Sequence, residues 1–151
     1  MKGKTRFHHV FVFLNIAIPL LLGLFLYLMF RRDSYVSLVL GKYISFSDWP
    51  EPAWPVWAVA AVRNFSADIM WAYALTFSVL YTLGYSPKHL ILTFAVCLGL
   101  IIGVELMQKL GVFHGTFDFL DISLETLSVC LALFVIKKHE EAQNEKNGKS
   151  T

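Results

Sequence analysis

Five carboxylates, Asp68, Glu105, Asp118, Asp121 and Glu125, fall in or beside otherwise apolar stretches of this chain. Acids in such surroundings can bind a cationic ligand, hold a hard divalent cation through oxygen, exchange a proton, or cap a helix. Their spacing narrows the choice. At 100° per residue, Asp118, Asp121, Glu125 and Ser128 lie within about 80° of one another on a helical wheel, which makes one polar stripe. Glu105 and Gln108 share a face of the preceding segment, roughly opposite Gly99 and Gly103. Asp118 suits an N-cap, and Asp121 would meet the positive end of the helix dipole. Glu105 and Lys109 form an ordinary i, i+4 pair. Capping does not account for Glu125, which lies on the order of 10 Å inside a helix beginning at Asp118. An acid at that depth needs a partner, a water-filled cavity or a proton, and Arg63, Lys109 and His114 are the candidate partners.

These residues require a scaffold that brings distant segments to one place, and the composition says what kind. Of 151 residues, 56% are hydrophobic and only 16% charged, with a mean hydropathy of +0.57. Val10 to Phe30 carries no charge and exceeds the roughly 18 residues that signal a membrane span. The expected fold is an all-α integral membrane protein with four transmembrane helices, over about 9–30, 66–83, 88–110 and 118–136. Basic residues ahead of the first apolar run resemble a signal peptide, but no small-residue cleavage pattern follows, so the run reads as a retained anchor. Ser66 and Asp68 are expected to start the second helix, and Gly84 to Pro87 form the turn to the third. Gly41, Pro50, Pro52 and Pro55 break residues 34–64 into a Trp- and Pro-rich interfacial loop, where Trp49, Trp54 and Trp57 suit the headgroup layer. Residues 1–8 form a short N-terminus, and 137–151 are expected to be a polar, disordered tail.

Four spans place both termini on one side. Lys2, Lys4, Arg6, Lys88, Lys137, Lys138, Lys146 and Lys149 then share that side, against Arg31, Arg32, Lys42, Arg63 and Lys109. The positive-inside rule makes the terminal side cytoplasmic and the acidic side external. Within this frame Asp68, Arg63, Glu105, Gln108, Asp118, Asp121 and Glu125 all lie toward the outer face and form the candidate ligand site. Ala95, Gly99 and Gly103 give the third span a small-residue row suited to close helix approach, for example in a homodimer.

Several function classes are disfavoured. The basic residues are scattered rather than gathered on one face, so nucleic acid is not an expected partner. Cys97 and Cys130 stand in different apolar segments without a CxxC pattern and read as reduced core residues. HExxH, a phosphate-cradling Gly loop and a nucleophile–base arrangement are all absent from the sequence, and no cofactor is expected.

Residues 105–128, ELMQKLGVFHGTFDFLDISLETLS, resemble the VanZ-like family of small bacterial membrane proteins. The shared features are Glu105 and Gln108 spaced E-x-x-Q at the end of one span, a short turn, and Asp121 opening the next. The chain departs from the family where an Arg is usual in the turn, here His114 to Phe117, and where Glu125 stands at the usual Asn. The resemblance implies a multi-pass protein of the bacterial cytoplasmic membrane connected with the cell envelope. The family's namesake is linked to resistance to the glycopeptide teicoplanin without altered cell-wall precursors. The leading expectation is thus a protein, not demonstrably an enzyme, that binds an envelope component such as a lipid-linked precursor or a glycopeptide at its acidic outer face. The alternatives are a metal-assisted enzyme acting on a lipid-linked substrate, and a small proton-coupled carrier or scaffold with Glu125 as the protonatable group.

Overall fold

The computed structural model describes residues 9–30, 39, 53–113 and 117–148, with side chains described as far as residue 145. Four long helices account for nearly all of them: α1 (His9–Phe30), α2 (Val56–Leu83), α3 (Pro87–Lys109) and α4 (Phe119–Gly148). Of these, α1, α3 and α4 are long and apolar enough to cross a membrane. Expectations that fall on residues 1–8, on most of the interfacial loop including Trp49, and on His114 lie outside the described residues.

α1 matches its sequence signal from end to end. Pro19 lies inside it and lacks the N–H that would meet the Asn15 carbonyl. α3 also begins as its sequence suggests. Ser86 is the N-cap, its side chain accepting from the His89 amide at 3.2 Å, and Pro87 occupies the first turn. Gly84 turns the chain with a φ of 76°, a left-handed value that glycine adopts without steric cost.

Two expectations are corrected. α2 starts at Val56, well before Ser66, so Ser66 and Asp68 are interior helix residues and neither caps it. Pro55 stands at the N-cap with no side-chain bond, and its carbonyl accepts from Ala58 and Val59. The prolines break the chain only as far as residue 55; the Val-Trp-Ala-Val-Ala-Ala run after them has no breaker and continues as helix. Trp57 therefore belongs to α2 rather than to a loop, while Trp54 stays near the end of α1, its ring 5.9 Å from that of Phe30.

The second correction is the tail, where α4 runs on to Gly148 instead of ending near residue 136. Glu, Ala, Gln and Lys are good helix formers, and Glu141 pairs with Lys138 at 2.9 Å and with Lys137 at 4.0 Å. Tertiary contacts hold the extension as well. His139 stacks on Phe11 with ring centroids 3.7 Å apart, and Glu140 is only 2% exposed. The Tyr85 phenol is pushed above its usual range, first by burial and then by the nearby charges of Glu140 and Glu141.

α2 is the hub, packing against the other three helices, while α3 and α4 also pack together. One core group joins Val12, Phe77, Leu80, Ala132 and Ile136 across α1, α2 and α4. A second joins Ala72, Cys97, Ile101 and Val129 across α2, α3 and α4. The closest backbone approach is at Gly23 of α1, where an added Cβ would stand 3.1 Å from the Met70 Cβ of α2. Consecutive helices alternate in direction, so α2 and α4 run parallel: His9 meets Tyr81, Gly23 meets Met70, and Ser128 meets Ile69. One end of the bundle therefore holds His9, Leu83, Pro87 and His139, and the other holds Phe30, Val56, Lys109 and Phe119.

Candidate functional site

Three helices deliver carboxylates to the second of these ends. Asp68 comes from α2, Glu105 from the last turns of α3, and Asp121 and Glu125 from the first turns of α4. Glu105 is 4% exposed and Glu125 8%, whereas Asp121 is half-buried and Asp68 exposed. Among the described residues, the acids Asp68, Glu105 and Asp121 act on the Glu125 carboxyl.

Glu105 is anchored by a backbone contact. Its Oε2 accepts from the Asp118 amide at 3.1 Å, one of the donors that the start of α4 leaves without a helical partner. A charge-assisted bond of this kind joins the end of α3 to the positive end of α4. Asp118 is the N-cap of α4, its Oδ1 accepting from the Leu120 amide at 2.9 Å. Lys109 lies over the Phe117 ring, with Nζ 5.1 Å from the centroid, instead of pairing with Glu105. One turn deeper than Glu125, the Ser128 hydroxyl donates to the Ile69 carbonyl at 2.7 Å and pins α4 to α2.

Of the candidate residues, Asp68, Glu105 and Asp121 lie within electrostatic reach of Glu125. Asp118 serves the helix end. Arg63 is exposed on α2 more than a turn outward from Asp68, and Gln108 is half-buried one turn beyond Glu105, its backbone carbonyl accepting from Gly111. Among the described residues, no group of three or more His, Cys, Asp or Glu side chains is placed to hold a metal ion. Gly99 and Gly103 face open space on the opposite side of α3.

No family model, curated protein or solved structure matches this chain.

Two polar features escaped the sequence reading. Tyr73 donates to Asn15 Oδ1 at 2.9 Å, and Asn15 Nδ2 donates to the Phe11 carbonyl at 2.9 Å, so a closed polar link joins α1 and α2 within the bundle. An Asn inside an apolar run was its only sequence signal, because a partner 58 positions away leaves no local pattern. The buried Glu140 at the far end was hidden in a stretch whose composition reads as solvated.

Proposed function

We propose that the chain is a four-span protein of a bacterial cytoplasmic membrane, VanZ-like in its site, that binds a cationic group of an envelope component at its outer face. Lowered susceptibility to glycopeptides such as teicoplanin is the expected consequence. The observation that carries this reading is that Asp68, Glu105 and Asp121, from three helices, all act on the buried Glu125 carboxyl. A positively charged occupant beside Glu125 would be attracted by the neighbouring acids, and an anionic one repelled.

The antiparallel course of α2 supports a fourth span. It lies along α1 from Tyr81, beside His9, to the Met70 and Ala67 contacts with Gly23. If α1 crosses the bilayer, α2 is carried across beside it. Its lower apolarity follows from its position, because a helix enclosed by three others shows little surface to lipid and can hold Thr76 and Ser78 through their bonds to backbone carbonyls. The Lys and Arg distribution, eight residues on the terminal side against five on the other, supports termini inside and the acidic end outside.

The test is to express the protein in a teicoplanin-susceptible bacterium and compare minimum inhibitory concentrations for wild type and Glu125→Gln at matched membrane abundance. The proposal expects a rise with wild type that is lost in the variant. No rise with wild type, or an unchanged rise in the variant, overturns it.

A further inference from the structure

A cavity of about 310 Å³ lies where α1, α2 and α4 meet, with hydrocarbon walls from Leu14, Ile18, Ile69 and Leu131. Asn15, Tyr73 and Ser128 also line it, as does Pro19. Pro19 stands midway along the 22 residues of α1. An α1 that crosses the bilayer therefore sets this lining within the hydrocarbon core, where a polar group finds its partner in the protein or in a ligand rather than in water.

The hydrogen bonds already in place define the partner that fits. Tyr73 gives its only hydroxyl proton to Asn15 Oδ1 at 2.9 Å, and Ser128 gives its own to the Ile69 carbonyl at 2.7 Å. Both oxygens can accept a further bond and neither can donate one. The Asn15 Nδ2 engages the Phe11 carbonyl with one of its two N–H groups. The backbone supplies the strongest acceptor. In an unbroken helix the Asn15 carbonyl would meet the N–H of residue 19, but Pro19 has none to give. Among the described residues no side chain donates to that carbonyl. Acceptors thus outnumber donors around the cavity, and none of the described lining residues is charged.

We propose that this cavity binds an uncharged long-chain alcohol, its hydroxyl donating to the Asn15 carbonyl that Pro19 leaves open and its chain lying against Leu14, Ile18 and Leu131. Those three side chains are 45%, 56% and 55% exposed, so the cavity opens toward lipid and the chain can enter from the bilayer. The volume lies at the low end of the roughly 300–1,000 Å³ of ligand pockets, which suits one chain rather than two. An ether or ester of the same length brings only acceptors to a site rich in them, and a charged headgroup finds no counter-charge in the lining. The inference is independent of the acidic end of the bundle and goes beyond its proposed role.

The full-length protein in phosphatidylcholine nanodiscs is photolabelled with a dodecanol carrying a mid-chain diazirine, and the label is mapped by peptide mass spectrometry. Labelling is expected on α1 and α4 beside the cavity. Unlabelled n-dodecanol should displace the probe at a membrane concentration roughly threefold to tenfold lower than dodecyl methyl ether, the effect of one net hydrogen bond. Pro19→Ala returns a helical N–H to the Asn15 carbonyl at a position where Ala favours the helix, and it should bring alcohol and ether to equal potency. Leu131→Trp, at an exposed position on the cavity wall, should lower labelling severalfold. Equal displacement by alcohol and ether in wild type overturns the inference and leaves a groove for hydrocarbon only. Label spread evenly over the lipid-facing helices overturns it too, as does an undiminished alcohol advantage in folded Pro19→Ala or undiminished labelling in folded Leu131→Trp.

Discussion

Replacing Gly23 by Leu should separate α1 from α2 and weaken the bundle by an amount the structure sets. An added Cβ at Gly23 stands 3.1 Å from the Met70 Cβ, 3.6 Å from its Cγ and 3.8 Å from the Ala67 Cα. The first and last of these belong to or adjoin the opposing backbone and yield only if the helices part. Leu adds three further carbons where Met70 already sits. Inserting such volume costs typically 1–3 kcal/mol, against which the better helix propensity of Leu returns about 0.8 kcal/mol. A net loss of about 0.2–2.2 kcal/mol follows. Gly23→Ala should be much milder, because its propensity gain and its single tight contact nearly offset. Met70→Ala in the Gly23→Leu background removes the carbons that Leu meets, so the pair should couple by about 0.5–3 kcal/mol. The assay is denaturant titration of helicity in mixed micelles for wild type, both single variants and the double variant. Gly23→Leu as stable as wild type would refute the reasoning, as would a double variant whose loss is the simple sum of the singles.

Other outcomes follow from single bonds. Tyr73→Phe removes the link to Asn15 and should cost about 0.6–1.7 kcal/mol in the same titration, the range for hydrogen bonds between membrane helices. Glu105→Gln retains a carbonyl acceptor for the Asp118 amide and should be near neutral, whereas Glu105→Ala leaves that amide short of its acceptor and should cost about 1–3 kcal/mol, read as faster hydrogen exchange in the first turn of α4. Glu141→Gln breaks two exposed ion pairs with Lys137 and Lys138 and should leave stability within about 0.5 kcal/mol of wild type.

The helices and the site were legible in the sequence to different degrees. α1 and α3 follow from uninterrupted apolar runs bounded by charge or by a Ser-Pro cap, signals that are local. The start of α2 was not legible, because Arg63 and Asn64 interrupt its apolarity and Ser66 with Asp68 imitates a cap. Helix propensity across Val56–Val62 together with packing against α1 decides it. The extension of α4 depends on burial of Glu140 and stacking of His139 on Phe11, contacts between residues more than a hundred positions apart. At the site, helical spacing was enough to gather Asp121 and Glu125, and the short α3–α4 connection brought Glu105 to them. The bond from Glu105 to the Asp118 amide was hidden, since an i, i+4 lysine offered a simpler partner.

The central claim is that Asp68, Glu105, Asp121 and Glu125 act as one site, and combining their substitutions tests it most directly. Teicoplanin susceptibility would be measured at matched membrane abundance for Asp68→Asn, Glu105→Gln, Asp121→Asn and Glu125→Gln, singly and in pairs. A single site predicts that each single variant loses most of the protection and that the pairs lose little more, because residues acting as a unit are not additive. Protection that survives in the single variants, or losses that multiply independently in the pairs, would contradict it.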